Sequence, residues 1–442
     1  MKNEFMMREA PMRKVFLQMC LPSVIIMIVM VIYNMADIYF VGQTGDAAQV
    51  AAISLAGPVF SILSAIGTLV GAGGGTAVAI ALGKGEKSHI RAITSFCFYA
   101  TLLVSVIFMI VMQFFYQPIV AVLGADAYTV EYTATYVRIL AFSSPFVLCS
   151  SVFANVIRAD GSVKQAMIAN LLGTVVHIIM DPILISMLNM GVAGAALATA
   201  AGNVVSCCYL LVYIARKQSY ISFSIHDLRL KADTTFRVLL LGLPMSISVM
   251  LMSISSVFSN NLLASYGTQA VAANGVMGKI GMLISMIVMG ICMGVQPAIS
   301  YNYGAGNLRR MREIVKKTLW FSIGVGAILT LACSFFREQF IAAFIDQADV
   351  VALGQKMVVA TLIIAPIYGI YQTCTVFLQG TGKVSYAIAL SVLRQGLLYV
   401  PILYLSNRLY GLDGLIFAAS ITEVVAILIA IVLSTQWNKQ IA

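Results

Sequence analysis

LPSVIIMIVMVIYNMADIYF, residues 21–40, holds a single formally charged side chain, Asp37, in twenty residues. Twenty residues of helix rise about 30 Å, the thickness of a bilayer's hydrocarbon core. A leucine-proline pair opens the stretch, and the same pair returns at Leu243-Pro244 ahead of another long apolar run. Runs of this kind fill the chain on either side. They predict an all-α membrane protein with twelve transmembrane helices, near residues 14–41, 48–81, 90–115, 127–151, 163–187, 192–215, 234–263, 270–300, 311–335, 349–376, 384–406 and 411–436. Several runs exceed what a crossing needs, which predicts tilted or bent helices. Across all 442 residues, 60% are hydrophobic and 10% are charged, with a mean hydropathy of +0.95. A soluble globular domain carries about a quarter charged residues, so that class is excluded. The short alternating segments of a membrane barrel are missing as well.

The recurrence of Leu-Pro belongs to a repeat. Val50-Ala51-Ala52 matches Val271-Ala272-Ala273, and Gly83-x-Gly85 with Arg91 matches Gly304-x-Gly306 with Arg312. Pro145 matches Pro366, Pro182-Ile183-Leu184 matches Pro401-Ile402-Leu403, and Gly191-x-x-Gly194 matches Gly411-x-x-Gly414. The offset stays between 219 and 222 residues across six spans, too regular for chance in a low-complexity apolar sequence. The reading is two homologous six-helix bundles: an N-lobe at 1–215, a basic linker at 216–233 and a C-lobe at 234–442. Six crossings return the chain to its starting side, so the lobes share one orientation.

The net charge of +10 invites a nucleic-acid reading, but in a membrane protein the position of the positives outweighs their sum. Most of the 27 basic residues fall on the side that carries both termini, from Arg13 and Lys14 through Lys84, Lys87 and Arg91 to Lys316, Lys317 and Lys383. The opposite side holds Arg138, Arg337, Lys356 and Arg408. Both termini are therefore expected in the cytoplasm, in a bacterial plasma membrane, with no nucleic-acid partner. The eight cysteines have no CxxC spacing and read as reduced, apolar-like side chains. The charged N-terminus lacks a small-residue cleavage site, so the first span is expected to be retained.

Most of the 17 acidic residues fall in loops, but Asp37, Asp181 and Glu423 lie inside spans. A charge there costs about 3 kcal/mol or more, so these carboxyls are expected to face an interior cavity or to be protonated. In the second repeat Asp37 maps near Ser259 and Asp181 maps to Val400, so the repeats keep an architecture and differ in chemistry. His177 and Asp181 stand one helical turn apart in HIIMDPIL, residues 177–184. A lone membrane histidine is as well read as a buried hydrogen-bond donor; beside an aspartate it becomes a candidate for proton or cation binding. Pro182 frees a carbonyl one turn back, and a free carbonyl next to a carboxylate suits a hard cation such as Na+. Asp37 follows Tyr33 and Asn34 by four and three residues on its own helix. Glu423 has Arg394 or Lys279 as partners for a structural ion pair. GKGEKS at 83–88 has the wrong spacing for a P-loop, which argues against an ATP-driven pump. No nucleophile-base set or Cys/His cluster stands out, so an enzyme is not expected.

YNMADIYFVGQTGDAAQVAAIS from 33, FANVIRADG from 153, DPILI from 181, GVAGAALATAAGN from 191, GVQPAISYNYGAGNLRRMREIV from 294 and LRQGLLYVPILYL from 393 together resemble the multidrug and toxic compound extrusion (MATE) transporters of bacteria. That resemblance covers nearly the whole chain. It implies a V-shaped, two-lobed bundle that exports bulky, often cationic drugs in exchange for inward Na+ or H+, with no cofactor beyond that ion. It also implies a cation site in the N-lobe built from Asp37, Asn155, Thr199 and Asp181, so that Na+ would sit at Asp37 and Asp181. His177 departs from the family, which commonly has asparagine there, and an imidazole titrates near neutrality. The family's other arrangement, with acids in spans seven and ten, is missing: Ser255, Ser259, Asn260 and Tyr371 stand in those regions.

A substrate cleft is expected among the methionines of spans seven and eight, including Met252, Met282, Met286 and Met289, together with Gln296. Methionine repacks around varied ligands. The expected partners are small drugs or organic cations and the bilayer, with the protein a monomer. The rival reading is a flippase for lipid-linked sugars, favoured by the intramembrane cations Arg394 and Lys279; a membrane scaffold or receptor ranks lower, because it has no use for costly buried carboxylates.

Overall fold

The computed structural model describes residues 2–216, 220–228, 232–335 and 348–441, and every regular element among them is helical. Lys217, Arg229 and Lys231, which count among the basic residues on the side of the termini, and Arg337 on the opposite side lie outside the described residues, as do the side chains of Asn34, Asp37 and Lys279.

A short helix at Lys2–Arg8 and a π-helical turn at Phe16–Cys20 lead into α1, Leu21–Gly42. There follow α2 (Ala47–Lys84), α3 (Lys87–Phe114), α4 (Val130–Ala159), α5 (Val163–Asp181, continued by a π-helical turn at Pro182–Met187) and α6 (Gly191–Arg216). The second repeat supplies α7 (Ala232–Ala264), α8 (Thr268–Gly304), α9 (Leu308–Phe335), α10 (Ala348–Gly380), α11 (Val384–Val392, with a π-helical turn at Leu393–Leu397) and α12 (Tyr399–Gln440). Among the described residues, eleven helical stretches are long and apolar enough to cross a bilayer. The last of them, Val384–Gln440, holds two crossings, because Gly411 (φ 60°, ψ −136°) breaks the helix. Twelve spans result. Only glycine adopts that backbone cheaply, and the sequence has one at the required place.

Local chemistry explains the helix ends. Asp46 caps α2 by accepting from the Ala48 amide at 2.9 Å, a bond that holds its carboxyl below the usual carboxylate range. Pro58, Pro145, Pro244, Pro297 and Pro366 sit inside helices, a pattern that membranes tolerate because neighbouring groups take up the freed carbonyls.

Two compact units emerge. The first contains Ile28–Ser246 and the second contains Phe5–Met27 with Ile247–Ala442. In the first, α4 is the hub that α2, α3 and α6 pack against. In the second, α10 plays the same part for α8, α9 and α12, so the repeat in sequence is a repeat in packing. Each unit also takes in the opening of the other repeat's first helix. In the first unit, a Cβ on Gly73 would lie 2.0 Å from the Val238 carbonyl oxygen, and one on Gly242 would lie 1.8 Å from that of Leu69. In the second, a Cβ on Gly294 would lie 2.7 Å from Cys20 Cα, and one on Gly290 would lie 2.8 Å from Val24 Cα. Backbones meet there because no side chain stands between them.

The basic linker is partly docked on α3. Ser95 donates to the Ser224 carbonyl at 2.7 Å, and the Tyr99 hydroxyl donates to that of Phe223 at 3.1 Å. All eight cysteines are free thiols. In the second unit Arg394 takes up Glu423, with Nε 2.7 Å from Oε2.

Gly242→Ala drives a methyl into backbone and is expected to destabilise the fold by about 1–3 kcal/mol. Gly324→Ala, in the middle of α9 with nothing within 4 Å of the new Cβ, is expected to be neutral or mildly stabilising. Thermal unfolding of the two purified variants beside the parent compares them directly.

Candidate cation site in the first unit

The α5–α6 contact begins with two glycines. A Cβ on Gly202 would lie 2.6 Å from the Gly173 carbonyl oxygen, and one on Gly173 would lie 2.7 Å from that of Gly202. Such an approach brings residues one turn along each helix into reach, His177 on α5 and Thr199 on α6.

His177 and Asp181 are both 0% exposed, four residues apart on one face of α5. Imidazole Nδ1 lies 3.6 Å from carboxylate Oδ2. The ring's other nitrogen, Nε2, is 3.4 Å from the Thr199 hydroxyl oxygen, which accepts from the Tyr33 hydroxyl at 3.3 Å. Tyr33 also lays its ring against the imidazole, with centroids 4.2 Å apart. The Tyr33 hydroxyl donates into Thr199. With the ring proton on Nδ1, the Thr199 hydroxyl would donate in turn into Nε2, and Nδ1 would face the carboxylate.

The array can do two things. A proton arriving at the imidazole makes it a cation 3.6 Å from an anion, which neutralises the pair in place. A small monovalent cation would find a carboxylate and two hydroxyl oxygens, the hard donors that Na+ requires. The helix continues past Asp181 into the π-helical turn at Pro182–Met187, since Pro182 has no amide hydrogen to continue the regular ladder.

Of the residues picked out in the sequence, Tyr33, His177, Asp181 and Thr199 are brought together. Asn155 is not joined to them by any contact among the described residues: its amide donates to the Ser151 carbonyl at 2.9 Å and its oxygen accepts from Arg158. Asp37 and Asn34 lie on the same helix as Tyr33, with their side chains outside those described. In the second unit Met252 is exposed, whereas Met282, Met286, Met289 and Gln296 are half-buried along α8.

The sequence reading passed over Asn203 and Ser150. Asn203 donates to the Thr199 carbonyl at 2.9 Å and accepts from the Ser150 hydroxyl at 2.9 Å, bracing α6 behind the array. A polar residue four places after Thr199 on an otherwise small-residue helix was the available signal.

A family model described as MatE matches residues 22–183 and again residues 244–405. Multidrug export protein MepA of Staphylococcus saprophyticus is 31% identical over 435 residues, which cover 98% of this chain and 96% of the relative. Among solved structures, a MATE protein in complex with MaL6 superposes with a TM-score of 0.94 at 22% identity, covering 100% of this chain and 99% of that one. A multidrug resistance MATE family transporter of the MOP superfamily, described in an outward-facing conformation, gives a TM-score of 0.94 at 22% identity, again covering 100% and 99%. At such identity these structures speak for the fold.

Thr199→Val keeps the side-chain volume and deletes the hydroxyl between Tyr33 and His177. Losing these two hydrogen bonds is expected to make unfolding easier by about 1–2 kcal/mol. A thermal or denaturant melt of the purified variant reads this out.

Proposed function

The chain belongs to the MatE family of multidrug and toxic compound extrusion transporters, and from that premise we propose that it exports bulky, often cationic small molecules by alternating access, in exchange for inward H+ or Na+. It is a multi-span membrane transporter and not an enzyme. In this reading the protein works in the plasma membrane with both termini in the cytoplasm, as its distribution of basic residues suggests.

The observation that carries the proposal is the fully buried His177–Asp181 pair with its hydroxyl array. When the site faces the outer medium, the coupling ion enters and neutralises Asp181, and Asp37 with it. Neutralisation removes the reason for water to stay near the carboxyls, so α1, α5 and α6 pack more closely and bound substrate is released. When the site faces inward, the ion leaves down its gradient, helped by about 2.3 kcal/mol per charge for each 100 mV. The ion shifts the equilibrium because it binds the two states unequally. Imidazole makes the site able to take a proton, while the carboxylate and hydroxyls suit Na+. The methionines of α7 and α8 would supply the adaptable substrate surface.

The flippase reading needed free intramembrane cations to hold phosphates. The multidrug export proteins that match along nearly the whole chain do not favour it.

Ethidium efflux from proteoliposomes, driven separately by Na+ and by proton gradients, is the test. Asp181→Asn and Asp37→Asn are expected to abolish gradient-driven efflux while leaving folded, membrane-inserted protein; wild-type rates in both would overturn the coupling site. His177→Asn removes the imidazole that faces Asp181. It is expected to weaken efflux driven by a proton gradient if protons drive the cycle, and to spare efflux driven by Na+.

A further inference from the structure

GKGEKS, residues 83–88, lacks the spacing of a nucleotide loop, yet its Lys84 and Glu86 line an open cavity of about 320 Å³ in the first unit. Three elements meet there. α2 ends at Lys84 and passes into α3 through Gly85 (φ 75°), and the opening of α7 closes the third side with Arg237 and Val238. The floor is apolar, since Ile80, Ile93 and Val238 are buried. The rim is charged: Lys84, Glu86 and Arg237 are exposed, with His89 half-buried beside them.

Among the described residues, no ion pair engages Lys84 or Arg237. Two free cations at the mouth of a concavity concentrate positive potential in it. α3 starts at the same rim with no side-chain cap, so its first amides add donors of the same sign. The second repeat shows what this place in the fold accepts: Arg310, which matches His89 at an offset of 221, donates to an oxygen, the Ala10 carbonyl. The surroundings are greasy as well as basic. Phe236, next to Arg237, is 66% exposed at the opening of a membrane span, and an aromatic beside a base at a span's end is the pattern of the membrane–water boundary. A free anion has no use for such a neighbour, whereas a lipid sets its phosphate among the bases and its chains against the ring.

We propose that this cavity seats the headgroup of an anionic phospholipid of the phosphatidylglycerol kind, with one phosphodiester charge and a hydroxylated head. The phosphate takes Lys84 and Arg237, and a head hydroxyl donates to the Glu86 carboxylate. Charge decides the class. Lys84 and Arg237 against Glu86 leave one net positive charge, which a single phosphodiester cancels and a zwitterionic head does not. A choline head also has no hydrogen to offer the glutamate. Bound there, the lipid bridges α2, α3 and the opening of α7 at the foot of the backbone contact between Gly73 and Val238. It would pin the segment that the second repeat lends to the first unit. The inference goes beyond the export reading and needs only that these helices cross a bilayer.

Native mass spectrometry of the full-length protein, held in neutral detergent with one phospholipid at a time, reads the fraction of chains that carry lipid. Phosphatidylglycerol is expected to bind about tenfold more tightly than phosphatidylcholine or phosphatidylethanolamine. Lys84→Gln combined with Arg237→Gln is expected to bring that ratio to about twofold or less. Each exchange alone is expected to remove part of it, which keeps the test decisive if the double variant does not fold. Lys316→Gln with Lys317→Gln clears two exposed lysines from α9 and is expected to keep the wild-type ratio. A wild-type ratio near one against either zwitterionic lipid overturns the proposal. So does a ratio that survives the loss of Lys84 and Arg237, or that falls equally in the α9 control, because a diffuse basic surface behaves that way. Inorganic phosphate at the lipid's concentration is expected to leave the bound fraction unchanged; displacement of the lipid would assign the cavity to a free anion and overturn the lipid site.

Discussion

A carboxylate with none of its surface exposed, inside a helix that crosses hydrocarbon, has to be answered on the spot. Asp181 is answered by an imidazole at 3.6 Å, which is oriented by Thr199, which in turn receives the Tyr33 hydroxyl. None of this assembles unless α5 and α6 come closer than ordinary side chains allow. Gly173 and Gly202 permit that approach, because each occupies the space where the other residue's Cβ would stand. The electrostatics of the site is thus paid for in glycine, and the array is only as sound as that helix contact.

The two repeats solve one packing problem and then diverge. Each builds a unit around its fourth span, and each seats a polar contact at corresponding places. In the first unit it is the uncharged Ser150–Asn203 bond. At the matching positions of the second stand Tyr371, offset by 221, and Glu423, offset by 220, with Arg394 between them. Tyr33, which feeds the array in the first unit, corresponds at an offset of 222 to Ser255, which serves the turn that carries Arg394. A common scaffold therefore presents an array able to neutralise itself in one unit and a fixed ion pair in the other.

Much of this was legible in the sequence. Hydrophobic length gave the twelve spans, since a helix in lipid must satisfy every backbone group internally and so shows itself as an unbroken run. The constant offset gave the repeat. Glycine at 411 marked the corner that separates the last two spans. His177 and Asp181 were visible because four-residue spacing fixes a shared helix face whatever the tertiary fold. The rest depended on contacts between distant segments. Thr199 and Tyr33 are 166 residues apart, and no local pattern announces that their hydroxyls meet. Asn155 shows the converse: a polar residue in the expected span turned instead to Arg158, three residues away on its own helix. The division of the chain was equally hidden, because the repeat marks where the gene doubled and says nothing of which partner a helix chooses.

That choice has a consequence for how the molecule can be taken apart. Residues 5–27 belong with the second unit, and the opening of α7, up to Ser246, belongs with the first. A chain cut at the basic linker would leave each fragment holding a piece of the other's core and missing a piece of its own, with a bare glycine groove at Gly73 or Gly294 where the absent segment should lie. Neither duplicate is a self-contained unit of packing, and recombination that swaps one half for a distant cousin must carry the borrowed segment along with it.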